Sequence, residues 1–213
     1  MSFPLSLADF FDKLPIAQVT FRPGRNVTFS ETQGGEVIDH KIGARLWQGE
    51  VTLDRDLHET MAEVETLLSL VEEGGGSFMM RDPRYRGPRL DPLGTVLGAA
   101  SVTIDAVSVD GLTLDLAGLP ENYVLSPGDY LGFSYGSNPA RFALHRVVGT
   151  YTAGPTVMAG IRVVPTIRDG AQVGAAVDLL TPAFKARLVE ADYGSGRSVL
   201  SAGGTFGFQQ TLR

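Results

Sequence analysis

The chain has 213 residues, a formal net charge of −6 and no cysteine. This length suffices for one large domain or two small ones. The missing cysteines exclude disulfides, thiolate metal sites and a cysteine nucleophile, and the acidic balance argues against a protein that grips nucleic acid by its phosphates. The sequence lacks the run of about 20 apolar residues needed to span a membrane. Residues 1–13 lack the basic region and cleavage site of a secretory signal.

The first thirty residues contain the pattern of a short helix followed by two strands. Apolar residues recur at helical spacing over 6–14, Ser6 can cap the helix, and Pro15 ends it. Two strand-like runs follow at 18–21 and 26–30, separated by a turn that contains proline and glycine. The pattern predicts a hairpin between these two runs.

The segment 42–53 alternates in the manner of a half-buried strand. A bulge is predicted near Trp47–Gly49. The residues predicted to face inward are Ile42, Ala44, Leu46, Val51 and Leu53.

The clearest helix is predicted at 57–73. Asp56 and Glu59 have the spacing of a capping box, and the glycines at 74–76 stop the helix. A strand that pairs back with an earlier part of the chain is predicted at 77–80. The predicted apolar stripe of this helix consists of Leu57, Met61, Val64, Leu67, Leu68 and Val71.

The composition of the sequence changes at 81–92, where three prolines and four arginines occur in twelve positions. Prolines at this density block both a helix and strand pairing, so a domain boundary is predicted here. Residues 94–180 then contain five or six short strands divided by turns, which is typical of a small barrel such as an OB-like one. A sandwich remains an alternative. The predicted strands are 101–107, 112–116, 130–135, 140–148, 161–164 and 176–180.

Two further strands, 184–193 and 205–212, follow the barrel. Two strands alone cannot bury a core, so they need the N-terminal part of the chain. We therefore predict a mainly β (α+β) fold with a discontinuous, sandwich-like domain of residues 1–82 and 181–213 that carries one main helix. Residues 83–180 form an inserted OB-like β-barrel.

The residues that could carry chemistry do not converge in the sequence. The histidines His40, His58 and His145 lack metal-ligand spacing, no GxSxG motif is present, and the glycine-rich turns lack the lysine of a phosphate loop. The carboxylates at 54–65 are typical of the solvated face and N-terminal end of a helix. The sequence predicts neither an enzyme nor a cofactor or metal site, and a small hydrolase is the poorest hypothesis.

Two groups of residues are instead candidates for binding. Arg84 and Tyr85 in the basic linker are predicted to pack on a neighbouring subunit, since arginine is enriched at protein interfaces; contact with nucleic acid is the alternative. Trp47 belongs to a set of large apolar residues that exceeds what a small domain needs, so part of that set is expected at an interface. Tyr130 and Tyr135 on the barrel are a possible sugar-stacking face.

The order of these features resembles the distal tail protein (Dit) family of long-tailed bacteriophages, in its short two-domain form with an inserted OB-like domain. The resemblance covers nearly the whole chain and rests on the order and length of its segments. The segments that carry it are Lys41–Gly49, the helix 57–73 with the strand Ser77–Met80, Leu125–Phe133, Phe142–Val148, Arg162–Arg168 and the closing run Gly203–Arg213.

The resemblance implies a structural protein of the virion tail, assembled in the host cytoplasm. The first domain would form a ring, usually six-fold, that joins the tail tube to the baseplate hub or tail tip and lets DNA pass without specific binding. A ring needs head-to-tail contacts that close, and a long hairpin can supply them. Val27, Phe29 and Ile42 are the candidates for that contact. The alternative is a carbohydrate-binding barrel from another assembly.

Overall fold

The computed structural model describes residues 2–43, 45–196 and 199–213. It confirms a mainly β class, with 41% of the chain in strands and 9% in helix. No helix in the described ranges has the length and apolarity to cross a membrane. In the described residues the strands are β1 Ile16–Pro23, β2 Val27–Glu31, β3 Val37–Lys41, β4 Trp47–Leu53, β5 Asp56–Leu57, β6 Phe78–Met80, β7 Thr103–Val107, β8 Thr113–Ala117, β9 Val124–Leu125, β10 Tyr130–Tyr135, β11 Arg141–Val147, β12 Tyr151–Thr152, β13 Val157–Val164, β14 Val177–Asp178, β15 Phe184–Asp192, β16 Leu200–Ser201 and β17 Thr205–Gln210, with the helix α1 His58–Glu72 and a 3₁₀ turn at Phe11–Lys13.

The N-terminal segment is a turn rather than the predicted helix. Ser6 accepts a hydrogen bond from the backbone N–H of Asp9 at 3.1 Å, as a cap does, but only the 3₁₀ turn follows it. Phe10 and Phe11 are both buried, so the tertiary packing of this segment outweighs its helical spacing.

The first sheet unites strands from both ends of the chain. Its order is β1-β4-β17-β15-β6, and every neighbouring pair is antiparallel. The hydrophobic residues of one face join those of α1 in one core, in which Met61, Val64, Leu68 and Val71 are the buried helix residues. The other face is polar, as expected of a sheet covered on one side.

The helix begins without the predicted capping box. Its N-cap is Leu57, which makes no side-chain cap. Asp56 and Leu57 pair instead with Ser201 and Leu200, and the first helical N–H, of His58, donates to the carbonyl of Val199 at 3.1 Å. The strand pairing with residues 200–201 and the hydrogen bond to Val199 therefore take the place of the capping box that Asp56 and Glu59 were predicted to form.

The second sheet closes into a barrel. Its order is β14-β10-β11-β13-β8-β7, with antiparallel neighbours. The outer strands meet as well, since Thr103 bridges Ala176 and the N–H of Val177 donates to the carbonyl of Val102 at 2.9 Å. The barrel holds six strands in the sheet, whereas an OB fold has five. Closure removes the exposed edges that an open sheet would present.

The predicted hairpin of residues 18–21 and 26–30 is wrong. The first run, in β1, pairs with β4 from Ile16 to Pro23, while β2 pairs with β3. Local turn residues suggested the nearer partner, but the apolar side of β1 is buried only in the first sheet.

The expectations for 42–53 are also revised in part. Val51 and Leu53 are buried as predicted, but Ile42 is 73% exposed; Ala44 lies outside the described residues. No bulge occurs at Trp47–Gly49, where the pairing with β1 is continuous. A Cβ at Gly49 would lie 1.8 Å from the carbonyl oxygen of Thr20, so the glycine permits close approach of two strands.

We predict that Gly49→Ala destabilises the protein by about 3 kcal/mol, the upper part of the usual range for overpacking. The matched control is Gly34→Ala, because the nearest atom to a Cβ there is 3.8 Å away. The control is expected to stay within about 0.5 kcal/mol of the parent protein. Urea unfolding measures both, and equal stabilities for the two variants would contradict the close packing of β1 on β4.

Candidate assembly surface

The hairpin β2–β3 belongs to neither main sheet. Its five residue pairs run from Val27 opposite Lys41 to Glu31 opposite Val37, and among the described strands each pairs only with the other. A two-stranded hairpin alone is marginally stable in water. The pairs β9–β12 and β5–β16 also lie outside the main sheets, but each contains a buried residue, Leu125 or Ser201. None of the described side chains of β2–β3 is buried, so an external partner could cover more of this pair.

The two faces of the hairpin differ in character. Residues directly opposite share a face, so Val27, Phe29 and Val37 project from one side together with the carboxylates of Glu31 and Asp39. Phe29 is 44% and Val37 54% exposed, and the guanidinium of Arg25 lies 4.2 Å from the Phe29 ring centroid. The opposite face holds Thr28, Ser30, Ile38 and His40, of which Ile38 is 42% exposed. Each side therefore combines apolar and polar side chains, and the exposed pair Phe29 and Val37 lies on the first side.

The hairpin is anchored at its base. The N–H of Ile42 donates to the carbonyl of Asn26 at 3.1 Å, and the N–H of Gly24 donates to the carbonyl of Leu46 at 2.6 Å. The Nε of Arg45 donates to the Gly24 carbonyl at 3.0 Å. Ile42 lies beside this base and is exposed. The predicted contact residues Val27, Phe29 and Ile42 therefore lie on one projecting element, together with Val37, which the sequence analysis missed.

Trp47 is a core residue, and its assignment to an interface is wrong. Its side chain is 1% exposed, and its indole Nε1 donates to the carbonyl of Leu144 on β11 at 2.6 Å. Its ring lies 5.0 Å from that of Phe21 and 5.7 Å from that of Tyr130. Trp47 therefore links the first sheet to the barrel, and its buried side chain cannot reach a neighbouring molecule.

Arg84 and Tyr85 also bind within the chain. Arg84 donates to both carboxylate oxygens of Asp82, from Nε at 2.9 Å and Nη2 at 2.8 Å. The Tyr85 hydroxyl donates to the carbonyl of Leu179 at 2.9 Å, and its ring packs edge-on against Tyr130 at 5.0 Å. These contacts replace the predicted subunit contact of Tyr85, whereas half of the Arg84 side chain stays exposed.

The sugar-stacking face predicted for Tyr130 and Tyr135 is wrong. Their exposed fractions are 4% and 6%. Strand β10 is buried on both sides, because one side lines the barrel and the other packs on the first sheet; only Ser134 is exposed along it. The specific observation that favoured carbohydrate binding is therefore lost.

Charged groups hold the linker at this junction. Burial alone would raise the pKa of Asp82, but hydrogen bonds from Arg84 and from the Tyr130 hydroxyl, the latter at 2.9 Å, outweigh it and lower the pKa. Burial raises the pKa of Tyr130 to about 12, in spite of a hydrogen bond from Arg146. The junction therefore holds a carboxylate and a neutral phenol at neutral pH.

A second apolar patch lies on the linker, at Leu90, Leu93 and Val96, which are 62%, 84% and 59% exposed. The buried carboxylate of Asp91 fixes this loop by accepting hydrogen bonds from the N–H groups of Val96 and Leu97 at 3.1 and 2.8 Å. This patch was not predicted, because Pro88 and Pro92 argue against a helix or a paired strand in this stretch.

The histidines do not come together. His40 lies on the hairpin, the Nδ1 of His58 lies 3.0 Å from the Ser201 hydroxyl, and His145 is buried in the barrel. No group of three metal-binding side chains is found in the described ranges. No protein-family model matches the chain, and no curated protein matches it. The function is therefore inferred from the geometry and chemistry of the described residues.

We predict that Asp82→Asn destabilises the protein by about 1–3 kcal/mol at neutral pH, the cost of impairing buried hydrogen bonds to a charged group. Because the folded state lowers the pKa of Asp82, its stabilisation is complete above the ordinary value of 3.8 and is lost as the pH falls through the folded pKa. Chemical denaturation at about pH 7 and about pH 2 should show the difference between parent and variant shrink in acid.

The control for this experiment is Asp12→Asn, which removes the partner of Arg81 in an ion pair whose side chains are 30% and 44% exposed. Such a pair contributes at most about 1 kcal/mol. An Asp82 effect no larger than that of Asp12, or one independent of pH, would contradict the assigned role.

Proposed function

We propose that this protein is a structural component of a long-tailed phage tail tip. Copies of the first sheet and its helix form a ring, which the resemblance to distal tail proteins suggests is six-fold. The ring connects the tail tube to the baseplate or tip hub, and DNA passes through its centre. The protein is a part of the virion and has no catalytic role.

The observation that carries this proposal is the projecting hairpin β2–β3, whose Phe29 and Val37 side chains are exposed on one side. A monomer gains nothing from a marginal two-stranded ribbon that exposes Phe29 and Val37. A neighbouring copy that covers these side chains would remove apolar area from water, which favours association.

A complementary surface lies on the first sheet. Strand β1 is at the end of the sheet order, so its outer backbone groups have no strand partner in that sheet. An edge of this kind accepts an added strand from another chain. A hairpin from one copy laid against β1 of the next is a head-to-tail contact, and contacts of this type close into rings when the rotation between copies allows it.

The net charge of −6 supports a passive passage for DNA. Specific and non-specific DNA binding both depend on lysine and arginine that neutralise phosphates. An acidic ring provides little such attraction, so DNA would slide through it. The barrel would project outward and face other tail proteins.

The test is the oligomeric state of the full chain, measured by light scattering over a range of concentrations. The parent protein is expected to form a discrete oligomer of several copies. The double variant Phe29→Asp/Val37→Asp should raise the dissociation constant at least about tenfold, since each position loses apolar contact and buries a charge. A monomer at every concentration would contradict the proposal.

Ser30→Asp is the matched control, because it adds a charge to the same hairpin on the opposite face. The control should assemble as the parent does. Equal losses in the control and in the double variant would indicate that the hairpin acts through its net charge rather than through Phe29 and Val37.

A further inference from the structure

The negative charge of the protein is concentrated in one segment. Residues 54–73, which include β5 and α1, hold seven carboxylates and one arginine. This segment therefore accounts for the whole net charge of −6, and the remaining residues carry equal numbers of acidic and basic side chains. The helix dipole favours Glu59 near the N-terminal end of α1, but it disfavours Glu72 and Glu73 at the other end. Local helix stability alone does not explain this acidic surface.

Exposed apolar side chains adjoin the N-terminal end of the helix. Leu57 of β5 lies opposite Leu200 of β16, and the two side chains are 54% and 48% exposed. The neighbouring Val199 is 67% exposed. Glu59 and Glu63 are exposed and one helical turn apart, and neither belongs to an ion pair found among the described residues. We call these five residues the acidic patch.

The linker between β6 and β7 presents the opposite charge. Arg86 and Arg89 are exposed, and neither is in an ion pair within the part of the chain that the structure describes. They lie in the same loop as the exposed side chains of Leu90, Leu93 and Val96. We call these five residues the basic patch.

The basic patch has a fixed shape. Asp91, the one acidic residue at 83–96, is buried. Its carboxylate accepts hydrogen bonds from the Thr95 hydroxyl at 3.1 Å and from the N–H groups of Val96 and Leu97 at 3.1 and 2.8 Å. The exposed charges of this loop are therefore all positive, and a loop that is already ordered loses little conformational entropy on binding.

The two patches match in chemistry. Each combines two like charges with three exposed apolar side chains, and the charges of the two patches are opposite in sign. Burial of the apolar area favours association, while the charges select the partner and the orientation. Two acidic patches repel each other, and so do two basic ones. A contact between copies of the chain would therefore join unlike patches.

We propose that the basic patch of one copy docks on the acidic patch of a second copy. The apolar side chains of both patches are removed from water, and the arginines face the glutamates. The acidic end of α1 thus receives its counter-charge from the next copy. This inference rests on the proposed ring, in which it adds a second contact between neighbouring copies, made by residues other than those of the hairpin.

Charge reversal tests the contact by light scattering on the full chain at about 0.1 M ionic strength. The variants Arg86→Glu/Arg89→Glu and Glu59→Arg/Glu63→Arg each place like charges face to face. Each should therefore raise the dissociation constant at least about tenfold. The chain with all four substitutions should return to within about threefold of the parent value, because the charges attract again with their signs exchanged.

The matched control for the reversed helix is Asp105→Arg/Asp169→Arg, which makes the same change of net charge at exposed residues outside both patches. The control should assemble as the parent does. If the reversed helix fails to fold, Glu59→Gln/Glu63→Gln replaces it. This neutral pair removes the repulsion and should restore part of the assembly that Arg86→Glu/Arg89→Glu loses.

The outcomes separate this contact from the ring. Assembly that is lost in Phe29→Asp/Val37→Asp but in neither reversal would overturn the contact and leave the ring. Reversals that weaken assembly without mutual rescue would also overturn it. Loss and rescue as expected in an assembly that stops at two copies would support the contact and contradict the ring. A parent protein that stays monomeric would overturn both.

Discussion

The structure depends on the pairing of β4 with β17, which joins residues from the first quarter of the chain to its last ten. Because this pair lies at the centre of the first sheet, the sheet brings the two ends of the chain together. The barrel leaves and re-enters the sheet through neighbouring strands, since Met80 pairs with Phe184. Its two connections therefore emerge side by side, and loop closure between them costs little entropy. The indole of Trp47, bonded to Leu144, then sets the barrel against the sheet.

This arrangement leaves little freedom between the two parts. Gln210 bonds to both sides of the junction, since its Oε1 accepts from the N–H of Trp47 at 3.2 Å and its Nε2 donates to the carbonyl of Phe142 at 2.9 Å. Tyr130 and Leu144, both barrel residues, belong to the core of the first sheet. The hairpin β2–β3 is the contrasting element, because its Phe29 and Val37 side chains stay exposed. This contrast is the basis of the proposed ring.

The sequence was informative where local patterns decide the structure. Turn residues delimit the barrel strands, so that 130–135 was predicted at its observed bounds, and the helical period located α1 to within one residue at each end. Long-range pairing was less accessible. Nothing in the segment near residue 20 specifies that it pairs with β4 rather than with β2. Nothing near Asp56 indicates that its strand partner is Ser201. Tyr130 was misplaced for a related reason, since alternation along a strand cannot show that both of its faces are covered.

Electron microscopy of the purified protein shows both the size of an assembly and whether it closes. We expect class averages of closed rings with a central opening, with the barrels arranged around the outside. Particles of single-copy size, or open chains of copies that never close, would rule out the proposed ring.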